Sequence, residues 1–359
     1  MKKYLKLLSL FILVFILAAC AGEETGEDAG SADEPLRIGL LIPREGDYSF
    51  NDAAAKGMHD AKAQFGDDIY LRIFEYGNNP EGSFLQATQA GFDVLVGPDQ
   101  LTDLIKDFAP EYPDTNFWIY DTVFDFSSGE YDNVSAIYYD TNESSYLAGY
   151  LAAKTSDTGV IGFIAGMNTP SISNNLVGYI QGAKAADPDI TIASEYVGSW
   201  EDPARAREIA KRMYDDGASI IVSVAGGSGV GIIEEAVAQD ALVIGSDLDQ
   251  AAVFAARGQT LYADVIPTSL LKKIDHSIVR GIEREFEGVV RYGESVSFGL
   301  SENFVGLANN EFFKRTYEED VRNEVLDIRD QIIKEEITVA SYYEMSEDEF
   351  QELKTSVQP

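Results

Sequence analysis

From Leu36 onward, short runs of β-branched and other apolar residues alternate with longer stretches in which apolar positions recur every three or four residues. The first pattern suits strands buried on both faces, and the second suits amphipathic helices. The pattern predicts a strand at Arg37–Ile42, a helix at Asp52–Phe65, a strand at Tyr70–Phe74 and a helix at Pro80–Ala90. Val94–Val96, the helix Leu101–Phe108, Phe117–Tyr120 and Val134–Tyr138 continue the series. It then restarts with a helix at Glu143–Lys154. Strands follow at Val160–Ala165, Ile190–Tyr196, Ile220–Val224 and Leu242–Ile244, with helices Ser171–Ala186, Pro203–Tyr214 and Val230–Gln239 between them. Leu261–Asp264, a helix at Thr268–Glu285 and the stretch Ser295–Leu307 read as a return to the first half and back. A helix near Tyr317–Lys334 and a short strand at Ile337–Ala340 would close the second half.

This alternation means α/β architecture, with parallel sheets covered by helices on both faces, built as two successive doubly wound units. The expected lobes are residues 35–140 plus 255–305, and 141–254 plus 306–359. In such sheets ligands bind beyond the carboxyl ends of the strands. Two facing lobes make a cleft whose usual motion is hinge closure. The turns after the strands are therefore the places to look for a site.

The residues ahead of this pattern have a different character. Met1–Lys6 holds three lysines, Leu7–Leu17 is apolar and uncharged, and Leu17-Ala18-Ala19 leads into Cys20. That order is expected of a secretory signal over residues 1–19, and its apolar run is shorter than the roughly 20 residues a membrane span needs. Cys20, the single cysteine of the chain, stands where a lipoprotein signal places the sulfur that is lipidated. Residues 20–34, rich in Gly, Ala, Ser and acids, are expected to form a flexible acidic tether. Together these predict an extracytoplasmic body anchored to the membrane by lipid.

Charge and composition remove several function classes. With 61 acidic against 27 basic residues and a formal net charge of −34, the chain is a poor partner for nucleic acid or for anionic headgroups. One cysteine and two histidines supply neither a disulfide nor a thiolate metal site, and His59 and His276 fall in predicted helices without ligand-spaced partners. No Ser-His-Asp arrangement or cysteine nucleophile can be assembled. Neither an enzyme, a cofactor nor a metal is expected.

Five segments after strands carry candidate binding chemistry. Asp47, Phe50 and Asn51 lie between the first strand and the first helix, where they suit a polar ligand or, equally, a helix cap and staple. Asp121 directly follows the strand Phe117–Tyr120, and Trp200 follows Ile190–Tyr196 as a ring for stacking or for covering a core. The glycine-rich turn Ala225–Gly231, including Gly227 and Ser228, opens a helix but lacks the register of a dinucleotide fingerprint and a phosphate-binding lysine. Asp247 and Asp249 suit a diol, and Lys272, placed on the helix Thr268–Glu285, is within plausible reach of the cleft.

Taken in order, seven motifs span nearly the whole chain beyond the tether. They are Asp47-x-x-Phe50-Asn51, Gly91-Phe92-Asp93, Glu143-x-Ser145-Tyr146-Leu147-Ala148-Gly149, Gly198-Ser199-Trp200-x-Asp202, the glycine-rich turn, Ile244-Gly245-x-Asp247-x-Asp249-Gln250, and Thr268-Ser269-x-x-Lys272. The series resembles the basic membrane protein family of lipoproteins, which includes purine-nucleoside-binding receptors of ABC transporters. The resemblance implies a type I periplasmic-binding-protein fold with three crossovers between its lobes. It also implies delivery of the ligand to a membrane permease driven by a separate ATPase. It assigns ribose contacts to Asp247 and Lys272 and sets the Asp47–Asn51 loop against the ligand. Two positions depart from the family pattern: Ala55 and Ile233 stand where rings that sandwich the purine are expected. The ribose end is thus expected to be intact and the base end altered. A pyrimidine nucleoside, a sugar or another polyol is the alternative ligand, and a ligand sensor for a signalling partner is the alternative role.

Overall fold

The computed structural model describes residues 34–359; the leader, Cys20 and the tether up to residue 33 lie outside the described residues. Among the described residues, twelve strands form two six-stranded sheets. The first holds β1 (Leu36–Ile42), β2 (Ile69–Glu75), β3 (Val94–Pro98), β4 (Asn116–Tyr120) and β5 (Val134–Tyr139). The second begins with β6 (Val160–Ala165), β7 (Thr191–Tyr196), β8 (Ile220–Val224), β9 (Leu242–Asp247) and β10 (Ser269–Lys272). The chain then adds β11 (Glu294–Phe298) to the first sheet and β12 (Val305–Leu307) to the second. The strand orders are β2-β1-β3-β4-β5-β11 and β7-β6-β8-β9-β10-β12. Every pairing is parallel except β10 with β12. This is a type I periplasmic-binding-protein-like fold of two doubly wound lobes, and the chain crosses between the sheets three times.

Burial explains the strand composition. Each residue of β3 and β8 is buried, whereas β2 at a sheet edge alternates, as expected for central strands covered on both faces. Each sheet carries an apolar core on either side. Leu40, Met58 and Ile278 lie on one face of the first sheet and Phe84, Leu95 and Phe117 on the other. In the second sheet Phe163, Leu176 and Val222 oppose Ile164, Ile209 and Phe254. The helix Ile274–Phe286 packs on the helix Phe50–Phe65 so closely that a Cβ at Gly57 would sit 2.9 Å from the Asp275 Cα.

Four sequence expectations change. The segment Thr268–Glu285 is a strand followed by a helix, with Lys272 ending β10 and the helix starting at Ile274. Ser269–Lys272 is only four residues long, its adjacent leucines fit a helical period as well as a strand, and Thr268 reads like a cap. Because β10 pairs with β9, the return to the first sheet comes after Lys272 and not at residue 255. Leu261–Asp264 lies in a short helix, Thr260–Asp264, and Ile337–Ala340 joins no ladder.

Candidate ligand-binding cleft

The carboxyl ends of nine strands open on one cavity of about 580 Å³. From the first lobe it is lined by the loop after β1 (Arg44, Asp47, Phe50, Asn51), by Tyr76 after β2, by Asp99 after β3 and by Asp121 after β4. The second lobe contributes Met167 and Thr169 after β6, Trp200 and Glu201 after β7, and Gly226 and Gly227 after β8. Asp247 and Lys272 come from the ends of β9 and β10.

Lys272 is the hub. Its Nζ donates to both oxygens of Asp121 at 2.9 Å and lies 3.9 Å from Asp247 Oδ1. It also sits 5.2 Å from the centre of the Phe50 ring. Ser171 Oγ donates to Asp121 at 3.0 Å, and the Ser49 hydroxyl donates to Asp247. Burial by itself would lower the lysine, but the carboxylates of Asp121 and Asp247 outweigh it and hold its titration above the ordinary value. Burial raises Asp247, with Lys272 and Ser49 pulling the other way. Both aspartates adopt left-handed backbone, with φ of 69° at Asp121 and 64° at Asp247. Such conformations cost on the order of 1–3 kcal/mol each and persist where surrounding contacts hold them. Here the contact is shared: Asp121 belongs to the first lobe, and Lys272 and Ser171 to the second. Gln250 Nε2 donating to the Tyr48 carbonyl at 2.9 Å and Arg44 Nε lying 3.1 Å from Glu201 also span the cleft.

Asp47 lines the cavity, yet its carboxylate accepts from the backbone N–H of Ser49, Asn51 and Asp52 at 2.9–3.1 Å. It therefore builds the turn into the first helix. Burial lifts its titration to about 6 despite those donors. Beside it, Asn51 Oδ1 is buried without a hydrogen-bond partner among the described residues, an acceptor on the cleft wall that lacks a donor. The Trp200 ring rests on Gly166, where a Cβ would meet the ring at 2.2 Å. That packing fixes the ring as part of the wall.

Ser228 is placed elsewhere. It is fully buried and does not line the cavity; its Oγ donates to the Ser199 carbonyl and accepts from the Asp202 N–H at 2.9 and 2.8 Å. It positions the Trp200 loop, because a side chain at the end of the glycine-rich turn points back under the neighbouring turn. Gly231 serves helix packing as well, since a Cβ there would lie 1.8 Å from the Pro203 carbonyl. Ala55 and Ile233 are buried in the cores of the two lobes and take no part in the cleft wall. Neither position puts a ring into the cleft, and Phe50, Tyr76 and Trp200 supply the aromatic lining. Tyr120 lies beneath it, 5.4 Å from the Phe50 ring centre.

Sequence reasoning missed Tyr76, Asp99 and Met167. Asp99 follows Gly97-Pro98 at the end of a strand, so the rule of inspecting every strand terminus would have found it. Burial and the charge of Asp121, opposed by Lys272, lift Asp99 to about 7. Among the described residues no group of His, Cys, Asp and Glu is arranged to hold a metal ion.

Comparison with known proteins adds the family. Residues 37–342 match the family described as ABC transporter substrate-binding protein PnrA-like. Basic membrane protein D of Borreliella burgdorferi is 30% identical over 355 residues, covering 96% of this chain and 98% of its own. The ABC transporter nucleoside-binding protein BmpA of Lactococcus lactis is 32% identical over 256 residues, 66% of this chain and 71% of that protein. Among solved structures, an ABC transporter solute-binding protein from Aeropyrum pernix superposes with a TM-score of 0.75 over 90% of this chain and 98% of its own, at 24% identity. The chain thus belongs to the PnrA-like, or basic membrane protein, family of ABC transporter substrate-binding proteins.

Proposed function

We propose that this protein captures a nucleoside, with a purine nucleoside as first choice, between its two lobes and delivers it to a membrane permease. The observation that carries the reading is the Lys272 hub. A buried lysine held by Asp121 and Asp247 gives a donor and charged acceptors side by side, as a ribose diol requires. The cavity volume of about 580 Å³ lies within the roughly 300–1,000 Å³ usual for small-molecule sites. Phe50 and Trp200 on its walls offer faces on which a base can stack. A relative named as nucleoside-binding supports the same choice.

The reading treats the protein as a carrier and not an enzyme, so the ligand leaves unchanged. It also places the protein outside the cytoplasm, lipidated at Cys20 and tethered by residues 20–34. The lobes act as bodies that close on the ligand, with Asp47 and Ser228 shaping the loops and Asp121, Asp247 and Lys272 touching it. The direct test is to purify the protein from cells, denature it, and identify what is released by mass spectrometry. An intact nucleoside supports the proposal; a sugar, or a free base with ribose, contradicts it. Replacing Cys20 with Ser is expected to release the protein from membranes, and persistent fatty-acid labelling of that variant would contradict the anchor.

A further inference from the structure

The cleft contains more carboxylates than its cations can serve. Lys272 is taken up by Asp121 and Asp247, and Arg44 at the rim by Glu201. The oxygens of Asp47 are engaged by three backbone N–H groups. Asp99 is left over. It lines the cavity half-buried, and among the described residues its carboxylate has no ion-pair partner or side-chain donor, only the backbone N–H of Gln100. The charged groups around it are Asp121 and Lys272, with the phenols of Tyr76, Tyr120 and Tyr343 also close enough to feel its charge.

An acceptor in that position calls for a donor, because a carboxylate withdrawn from water is costly unless hydrogen-bonded. The cleft also offers an anion no unpaired cation among the described residues. Phosphate sites offer free Arg or Lys side chains or unspent N–H groups at a helix start. Here both cations are paired, and at the glycine-rich turn the Ser228 N–H donates to the Trp200 carbonyl and the Gly229 N–H to Gly226, which leaves the N–H groups of Gly226 and Gly227 as donors on the cleft wall.

We propose that Asp99 determines specificity in the nucleoside site: its carboxylate accepts from a hydroxyl or amino group of the ligand and turns away ligands bearing phosphate. The inference rests on the nucleoside reading of the cleft. It adds a residue and a selection rule to the ribose contacts of Asp247 and Lys272.

The test is equilibrium titration of the purified full-length protein with adenosine, guanosine and their 2′-, 3′- and 5′-monophosphates. The wild-type protein is expected to bind at least one nucleoside and to bind its monophosphates about 100-fold more weakly or less. Asp99→Asn keeps the size and removes the charge. It is expected to weaken nucleoside binding about tenfold, in line with loss of a charged acceptor. It is also expected to narrow the ratio for at least one monophosphate by about tenfold. A merely structural role would weaken all ligands together and leave the ratios in place. Asp99→Ser provides a second uncharged variant if the first misfolds. Wild-type protein that binds monophosphates as well as nucleosides overturns the inference without any variant. Nucleoside binding with unchanged ratios in a folded variant removes the role of Asp99 alone. Failure of wild-type protein to bind any nucleoside removes the nucleoside reading and this inference with it.

Discussion

Asp247 and Lys272 come from adjacent strands of the second sheet, and Asp121 meets them across the cleft. Asp247→Ala removes one charged acceptor and the partner of the Ser49 hydroxyl. It is expected to weaken nucleoside binding by about 1.5–3 kcal/mol, measured by calorimetric titration; unchanged affinity in a folded variant would exclude a ligand contact. Asp99 makes a second prediction, in the ligand-free protein. Its folded-state titration near 7 lies above the ordinary value for an aspartate. The folded chain then holds a proton that the unfolded chain has released, and the favourable contribution of this group is lost as pH rises from about 4 to about 7. Asp99→Asn is expected to raise Tm near pH 8 and to leave it little changed near pH 4, as read from thermal unfolding across pH. An equal shift at both values would contradict the assignment. Of these residues the sequence pointed to Asp47, Phe50, Asn51, Asp121, Trp200, Gly227, Asp247 and Lys272, all of which line the cleft. Ser228 was misplaced because side-chain direction after a glycine turn depends on backbone geometry that spacing does not encode.

At the scale of elements, most strands and helices were legible because central parallel strands read as continuous apolar runs and the helices keep their period. The failures fall on short elements. β10 has four residues, and in so short a segment a period of two and one of 3.6 match almost equally well. That ambiguity moved Lys272 from a strand end to a helix and shifted the lobe boundary. Helix packing carries its own prediction. The helix Pro170–Ala186 lies on Thr141–Thr155, the helix of the first crossover, with backbones touching at Gly149, Gly178 and Gly182. A Cβ at Gly178 would fall 1.9 Å from the Asn142 carbonyl oxygen. Gly178→Ala must spread these helices and is expected to cost about 1–3 kcal/mol or more, visible as a lower midpoint in denaturant unfolding. A midpoint equal to wild type would mean that the crossing is less tight than described.

Across the whole molecule, 61 acidic against 27 basic residues leave a self-repulsive surface. Salt shortens the reach of that repulsion to about 10 Å at 0.1 M and about 3 Å at 1 M. Added sodium chloride is therefore expected to raise Tm, and a falling Tm would mean that surface ion pairs outweigh the repulsion. The paired sheets, their crossovers and the cleft between their strand ends agree with membership in a substrate-binding family, whereas ligand identity rests on a handful of side chains. Thermal unfolding against purine nucleosides, pyrimidine nucleosides, free bases and sugars tests that identity most directly. A ligand that prefers the folded state adds about 2.7 kcal/mol of stability at a hundredfold excess over Kd. The account predicts a clear rise in Tm with a purine nucleoside and none with free sugars; a rise with a sugar and none with any nucleoside would contradict it.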